Sequence, residues 1–148
     1  MTTIAYRDGI IAYDSRETLG NTIVDDDCDK CQDRDGVQFF CAGSTPDYDA
    51  LLAAYFGEVS AVVIEAGGIA LDNGVLWLLG YSDTTGFWKD RLRLDNPFAI
   101  GSGSLHALTA MDMGASAYQA VEMAMKRDSC TGGKIRTLTV KVSEPAAQ

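Results

Sequence analysis

Apolar and polar residues alternate from Thr2 to Arg7 and again from Ile10 to Asp14, the period of a strand with one buried face. Between the two runs stands Asp8-Gly9, a two-residue hairpin signal, because both central positions of such a turn need positive φ. The pattern predicts a first hairpin in which Arg7 faces Ile10. Counting outward then places Thr3 across from Asp14 and Thr2 across from Ser15.

Further along, Val37 to Ala42 has the continuous apolar character of a buried strand. After Gly43, Thr45-Pro46 predicts a helix over Pro46 to Phe56, with Thr45 as cap, proline at the first position and Gly57 as its end. From Ser60 the pattern turns β-branched, with breaks at Gly67-Gly68, Asp72-Asn73-Gly74 and Asp83 to Gly86. Strands are predicted at Ala61 to Glu65, Val75 to Tyr81 and Phe87 to Arg91. Leu105 to Met113 and Ala115 to Lys126 read as helices separated by Gly114. The second is apolar nearly all round, which fits either a helix that only fills the core or one with a second subunit on its outer side. Lys134 to Val142 alternates as a closing strand, and residues 143–148 read as a flexible tail behind one domain of residues 1–142.

Composition narrows the class. A chain of 148 residues, 47% hydrophobic and 22% charged, has enough material for one domain with a proper core. No run of eighteen apolar residues occurs and the start lacks a signal-peptide order, so neither a membrane span nor export is expected and the chain reads as cytoplasmic. A formal charge of −9 without clustered Lys and Arg argues against a nucleic-acid partner.

Four cysteines, Cys28, Cys31, Cys41 and Cys130, are expected as reduced thiols in that compartment. Cys28-Asp-Lys-Cys31 has redox or half-zinc spacing, but no second cysteine pair follows and His106 is the sole histidine. Asp25 to Gly36 is rich in aspartate without the order of a calcium loop. Neither a metal nor a cofactor is expected. The bland reading of the acidic segment is a solvated strand edge. In an extended chain, however, Cys28 and Lys30 share a face, so Lys30 is able to point inward. Gly101-Ser-Gly-Ser-Leu-His106 lacks the third glycine of a dinucleotide fingerprint. His106 reads as helix surface or core.

The chemistry centres on the start of the chain. The small side chain after Met1 favours removal of that residue, which would leave Thr2 with a hydroxyl and a free amine on one residue, a nucleophile carrying its own base.

Thr2-Thr-Ile, Gly9-Ile-Ile-Ala-x-Asp-Ser-Arg-x-Thr-x-Gly-Asn21, Lys30, Ala42-Gly43, Gly101-Ser-Gly-Ser104 and Arg127-Asp-x-x-x-Gly-Gly133 stand in the order found in proteasome β subunits and the bacterial peptidase HslV. The chain resembles that family of N-terminal-nucleophile (Ntn) hydrolases well over its first and last thirds and poorly over about residues 57–95. The resemblance implies an α+β fold, the four-layer α/β/β/α sandwich, shortened here in its first hairpin and lacking the family's second long helix. Even losses from both hairpin arms keep the register and facing.

By the same resemblance Thr2 is the nucleophile, Lys30 the cation beside it and Asp14 the carboxylate that orients the lysine. Ser102, Asp128 and Thr131 match the residues that fix the terminal amine, and Gly43 matches the oxyanion donor. Glu17, Thr18, Cys28, Cys41 and Thr45 match substrate-binding positions, a mixed set that predicts no firm preference. Taken singly, Asp14 also suits a turn cap, Ser102 a flexible loop and Asp128 a helix end. The implied function is a threonine-type endopeptidase acting on unfolded polypeptide inside a homo-oligomeric ring or stacked rings, fed by an AAA+ ATPase unfoldase. A catalytically inactive assembly protein and a small-molecule amidase of the same fold are the alternatives.

Overall fold

The computed structural model describes residues 2–140; Met1 and the tail expected at 143–148 lie outside the described residues. In chain order the strands are β1 (Thr3–Arg7), β2 (Ile10–Tyr13), β3 (Glu17–Leu19), β4 (Thr22–Asp25), β5 (Cys31–Arg34), β6 (Val37–Gly43), β7 (Ala66–Asp72), β8 (Val75–Ser82), β9 (Gly86–Arg91), β10 (Phe98–Gly101) and β11 (Arg136–Thr139). The helices are α1 (Tyr48–Tyr55), α2 (Ser104–Asp112) and α3 (Ala117–Arg127). These elements form two compact units, one built from the chain up to Cys31 with Leu94–Thr139, the other on Gln32–Arg93.

The first unit carries a sheet of order β10-β1-β2-β11, all antiparallel, and a separate β3-β4 pair. Its first hairpin has the predicted register, Arg7 opposite Ile10 and Ile4 opposite Tyr13. Asp8 and Gly9 take φ of 50° and 81°, the positive pair that lets a two-residue turn follow strand twist. Beyond the ladder Asp14 N still donates to Thr3 O at 3.3 Å, which keeps Asp14 opposite Thr3.

Helices α2 and α3 cover this sheet through small side chains: Ala5 and Ala12 meet Ala107, Met111, Ala117, Ala120, Val121 and Ala124, all buried. Short side chains allow close approach, and the apolar area removed from water stabilises the layer at about 25 cal/mol per Å². Helix α3 starts two residues later than expected, because Ser116 and Gln119 form a capping box: Ser116 Oγ accepts from Gln119 N at 3.1 Å and Gln119 Oε1 from Ser116 N at 3.0 Å. Arg7 Nη1 closes the end of α2 by donating to Met111 O and Ala115 O, both at 2.8 Å.

The second unit is a sheet of order β5-β6-β7-β8-β9 with α1 packed on it. Val37, Phe39 and Cys41 of β6 point to one side, as alternation requires, and share a core with Leu51, Leu52, Ala70 and Leu79.

Several expected elements are corrected here. Residues 61–65 form no strand; the strand is Ala66–Asp72, and Gly67-Gly68 lies inside it rather than breaking the chain. A Cβ on Gly68 would stand 2.6 Å from Phe40 O, so glycine is what the close strand approach requires. Thr45 does not cap a long helix. Thr45–Asp47 is a 3₁₀ turn ahead of α1, with Ser44 at its cap position and no side-chain cap bond. Of the closing strand expected at Lys134 to Val142, Arg136–Thr139 is strand, and residues 141–142 lie outside the described residues. Strands β3, β4, β5 and β10 are additional to the sequence reading.

Candidate active site

The hairpin β1-β2 sets the floor of the site. Thr2 and Thr3 precede or open β1, and Asp14 and Ser15 follow β2; all are buried, Asp14 completely. Burying a carboxylate costs free energy unless its oxygens are satisfied. Asp14 Oδ1 accepts from Thr3 N at 3.1 Å and from Lys30 Nζ at 2.8 Å, while Oδ2 accepts from Gly132 N at 3.0 Å and Arg16 N at 3.3 Å. Lys30, one-tenth exposed, also donates from Nζ to Thr2 Oγ1 at 3.0 Å. A carboxylate, an ammonium and a hydroxyl thus stand in a row.

A second group lies near the Thr2 carbonyl. Asp128 Oδ2 accepts from Ser102 Oγ at 2.5 Å and Thr131 Oγ1 at 2.6 Å, and Oδ1 accepts from Cys130 N at 3.1 Å. Thr131 Oγ1 is also 2.7 Å from Thr3 Oγ1. Since the single Thr131 proton goes to Asp128, Thr3 is the donor of that pair. Ser102 Oγ also lies 3.5 Å from Thr2 O. Gly101 has φ of 102° and a Cβ there would be 1.8 Å from Thr2 O, so only glycine lets β10 close on the start of β1.

Burial opposes the charge of Asp128, but the hydrogen bonds from Ser102, Thr131 and Cys130 N outweigh it and hold the carboxyl below its ordinary value of 3.8. A carboxyl depressed by folding stabilises the protein above the ordinary value, and that contribution is lost as pH falls through the lower folded value. Acid unfolding should therefore steepen below pH 3.8, and Asp128→Asn should remove that part of the pH dependence. Equal acid sensitivity in the variant would count against this ordering of the loop.

The six residues expected to be catalytic, Thr2, Asp14, Lys30, Ser102, Asp128 and Thr131, are therefore brought together within the first unit. Among the expected substrate-binding residues, Glu17, Thr18 and Cys28 belong to this unit and Cys41 and Thr45 to the second, as does Gly43, the expected oxyanion donor. Gly43 ends β6 with φ of 105°, and an added Cβ would be 2.8 Å from Glu65 O, so the strand geometry alone already demands glycine there. His106 is exposed on α2 and takes no part in either group.

Glu17, Asp25 and Cys28 offer ligand atoms within 4.8 Å of one another, the nearest approach to a metal donor set among the described residues, with both carboxylates exposed. Burial, then the Glu17 and Asp25 charges, push the Cys28 thiol up, against a smaller opposing pull from Lys30. The thiol stays protonated near neutral pH.

Two arginines complete the site, and the sequence reading gave them no role. Arg16 binds Asp26 through Nε at 2.9 Å and Nη2 at 3.2 Å, and donates from Nη1 to Ser129 O at 3.0 Å. Gly132 lies against this guanidinium: a Cβ would be 2.3 Å from Arg16 Cζ. Arg136 reaches Ser15, Asp27 and the Cys28 carbonyl. The acidic segment stays exposed, and the two arginines tie Asp26 and Asp27 down at its inner side. The available signal was charge balance, since four aspartates at 25, 26, 27 and 29 need counterions if the segment folds back on the sheet.

No family model and no curated protein match this chain. Solved structures do. BPH of Thiobacillus denitrificans is 17% identical, with a TM-score of 0.70 over 97% of this chain and 99% of that one. The same protein in complex with epoxomicin is 16% identical, with a TM-score of 0.68 over 96% and 98%. The likeness shows a shared fold, an α+β fold in shortened form, with strands β7, β8 and β9 over the stretch where the sequence lacks the expected second long helix.

Proposed function

We propose that the chain is a threonine-type endopeptidase that degrades unfolded polypeptide inside a self-compartmentalised homo-oligomer, with Thr2 as nucleophile once Met1 is removed. One observation carries the reading: Lys30 Nζ stands 3.0 Å from Thr2 Oγ1 and 2.8 Å from the buried Asp14 carboxylate. A hydroxyl is a weak nucleophile, and an ammonium donating to its oxygen favours the alkoxide that forms as the proton leaves.

In the proposed reaction Thr2 Oγ attacks the scissile carbonyl carbon while its proton passes to the freed Thr2 amine, directly or through water. The tetrahedral oxyanion is stabilised by backbone N–H donors. Collapse breaks the C–N bond, the protonated amine returns its proton to the leaving nitrogen, and an acyl-enzyme ester remains. Water, deprotonated by the same amine, hydrolyses the ester and restores the hydroxyl. Asp128, Ser102 and Thr131 orient the amine.

The bound epoxomicin of the structural neighbour, a proteasome inhibitor, supports the threonine-peptidase reading. Self-association is supported by the outer side of α2 and α3, which exposes Leu105, Met113 and Met123 around a cavity of about 540 Å³ that Arg127 and His106 also line, and exposes Tyr118 on α3. No helix among the described residues is long and apolar enough to cross a membrane, and a cytoplasmic chamber supplied by an ATP-driven unfoldase fits the reading.

Turnover of an unfolded polypeptide by the purified protein tests the assignment. Cleavage with native mass well above 15.9 kDa supports it. Hydrolysis of small amides alone would move it to an amidase, and no hydrolysis with Met1 retained to an assembly protein.

A further inference from the structure

Four of the five positions before Lys30 are aspartates, and a run of like charges in water would leave the lysine on a loose segment. Arg136, on β11, changes that. Its Nη2 donates to Asp27 Oδ1 at 2.9 Å and reaches Asp27 O at 3.5 Å. Its Nη1 donates to Cys28 O at 3.4 Å and to Ser15 Oγ, and its Nε lies 3.9 Å from Asp29 Oδ2. The same two segments are tied directly as well, Cys28 N donating to Ser15 O at 3.0 Å. Tyr13 adds a hydrogen bond from its hydroxyl to Asp29 Oδ1 at 3.4 Å.

One guanidinium therefore holds the residue after Asp14 and the three residues before Lys30. Its donors lie in a rigid plane, so gripping both segments fixes the distance between them. We propose that Arg136 is a positioning residue for Lys30: by clamping Asp27, Cys28 and Asp29 to Ser15, it sets the reach of the Lys30 ammonium to Thr2 Oγ1. Arg136 makes no contact with Thr2 itself and acts only through the backbone it holds. The inference deepens the proposed peptidase function and rests on it for its kinetic arm.

A charged lysine would serve less well at position 136, because a point charge reaches one partner where the fork reaches several. Misplacement of a reacting group by about 1 Å costs roughly 10²-fold in rate. Arg136→Gln should lower kcat on peptide by about 10-fold or more with KM within about twofold, and Arg136→Lys should recover part of the loss.

A second readout does not need activity. Lys30 is nearly buried, whereas Lys89 and Lys126 are exposed. Under brief acetylation followed by peptide mass mapping, Lys30 should be protected in the native protein and modified about 10-fold faster in Arg136→Gln, with Lys89 and Lys126 unchanged. Arg34→Gln, which breaks an exposed pair with Asp49, is the control and should match the parent in both assays. If Arg136→Gln fails to fold, Asp27→Asn loses a single charged contact at an exposed residue and should give a smaller change of the same kind. Parent-like kcat and parent-like Lys30 protection in Arg136→Gln, or in Asp27→Asn where the first variant does not fold, would overturn the proposal. So would a rise in KM with kcat unchanged. A parent protein without peptidase activity would remove the proposed function, while the protection assay would still decide whether Arg136 holds Lys30.

Discussion

Thr2→Ala is expected to abolish peptide hydrolysis, with a fall of roughly 10⁴-fold or more in kcat, since loss of a nucleophile removes the covalent route altogether. The fold should survive. Thr2 is 3% exposed and its side chain loses one hydrogen bond, from Lys30, which keeps its contact with Asp14. A hydrogen bond to a charged group contributes about 1.5–3 kcal/mol, a loss that a domain with these two cores tolerates. Thr2→Ser restores a hydroxyl and should restore most of the rate. Activity of Thr2→Ala within tenfold of the parent would show that another group carries out the reaction.

Asp14→Ala has the largest expected effect on stability. The carboxylate is fully buried, it accepts four hydrogen bonds, and its partner Lys30 is one-tenth exposed. Removing one member of a buried ion pair leaves the other charge without compensation, at about 3–5 kcal/mol. Thr3 N and Gly132 N would lose their acceptor as well. For a chain of this size each kcal/mol moves Tm by about 2–4 °C, so a fall of about 6–20 °C is expected by calorimetry, together with loss of activity. A shift under about 3 °C would mean that Asp14 is not the anchor of this floor.

The parts of the structure legible in the sequence are those set by local chemistry. Asp8-Gly9 fixes the first hairpin and its register, because few other residue pairs accept positive φ twice. That register places Thr3 beside Asp14, and the motif order then brings Lys30, Ser102, Asp128 and Thr131 to the same place. What escaped was set by distant partners. Strand β10 is four residues long, too short to show a period, and exists because β1 pairs with it. Gly67-Gly68 looks like a break until the neighbouring backbone at Phe40 is seen to leave no room for a Cβ. The acidic segment is exposed, as its charge suggests, but its sequence does not show that Arg16 and Arg136, the latter from the far end of the chain, bind it. Charge runs are ambiguous for this reason: their counterions need not be local.

The account depends on Thr2 becoming the first residue with its hydroxyl beside Lys30. Intact-mass measurement of the purified protein, before and after incubation with epoxomicin, tests this most directly. The predicted result is a parent mass short of one methionine, a single covalent adduct that maps to Thr2, and no adduct on Thr2→Ala. Retained Met1 with no adduct, or an adduct that persists in Thr2→Ala, would contradict it.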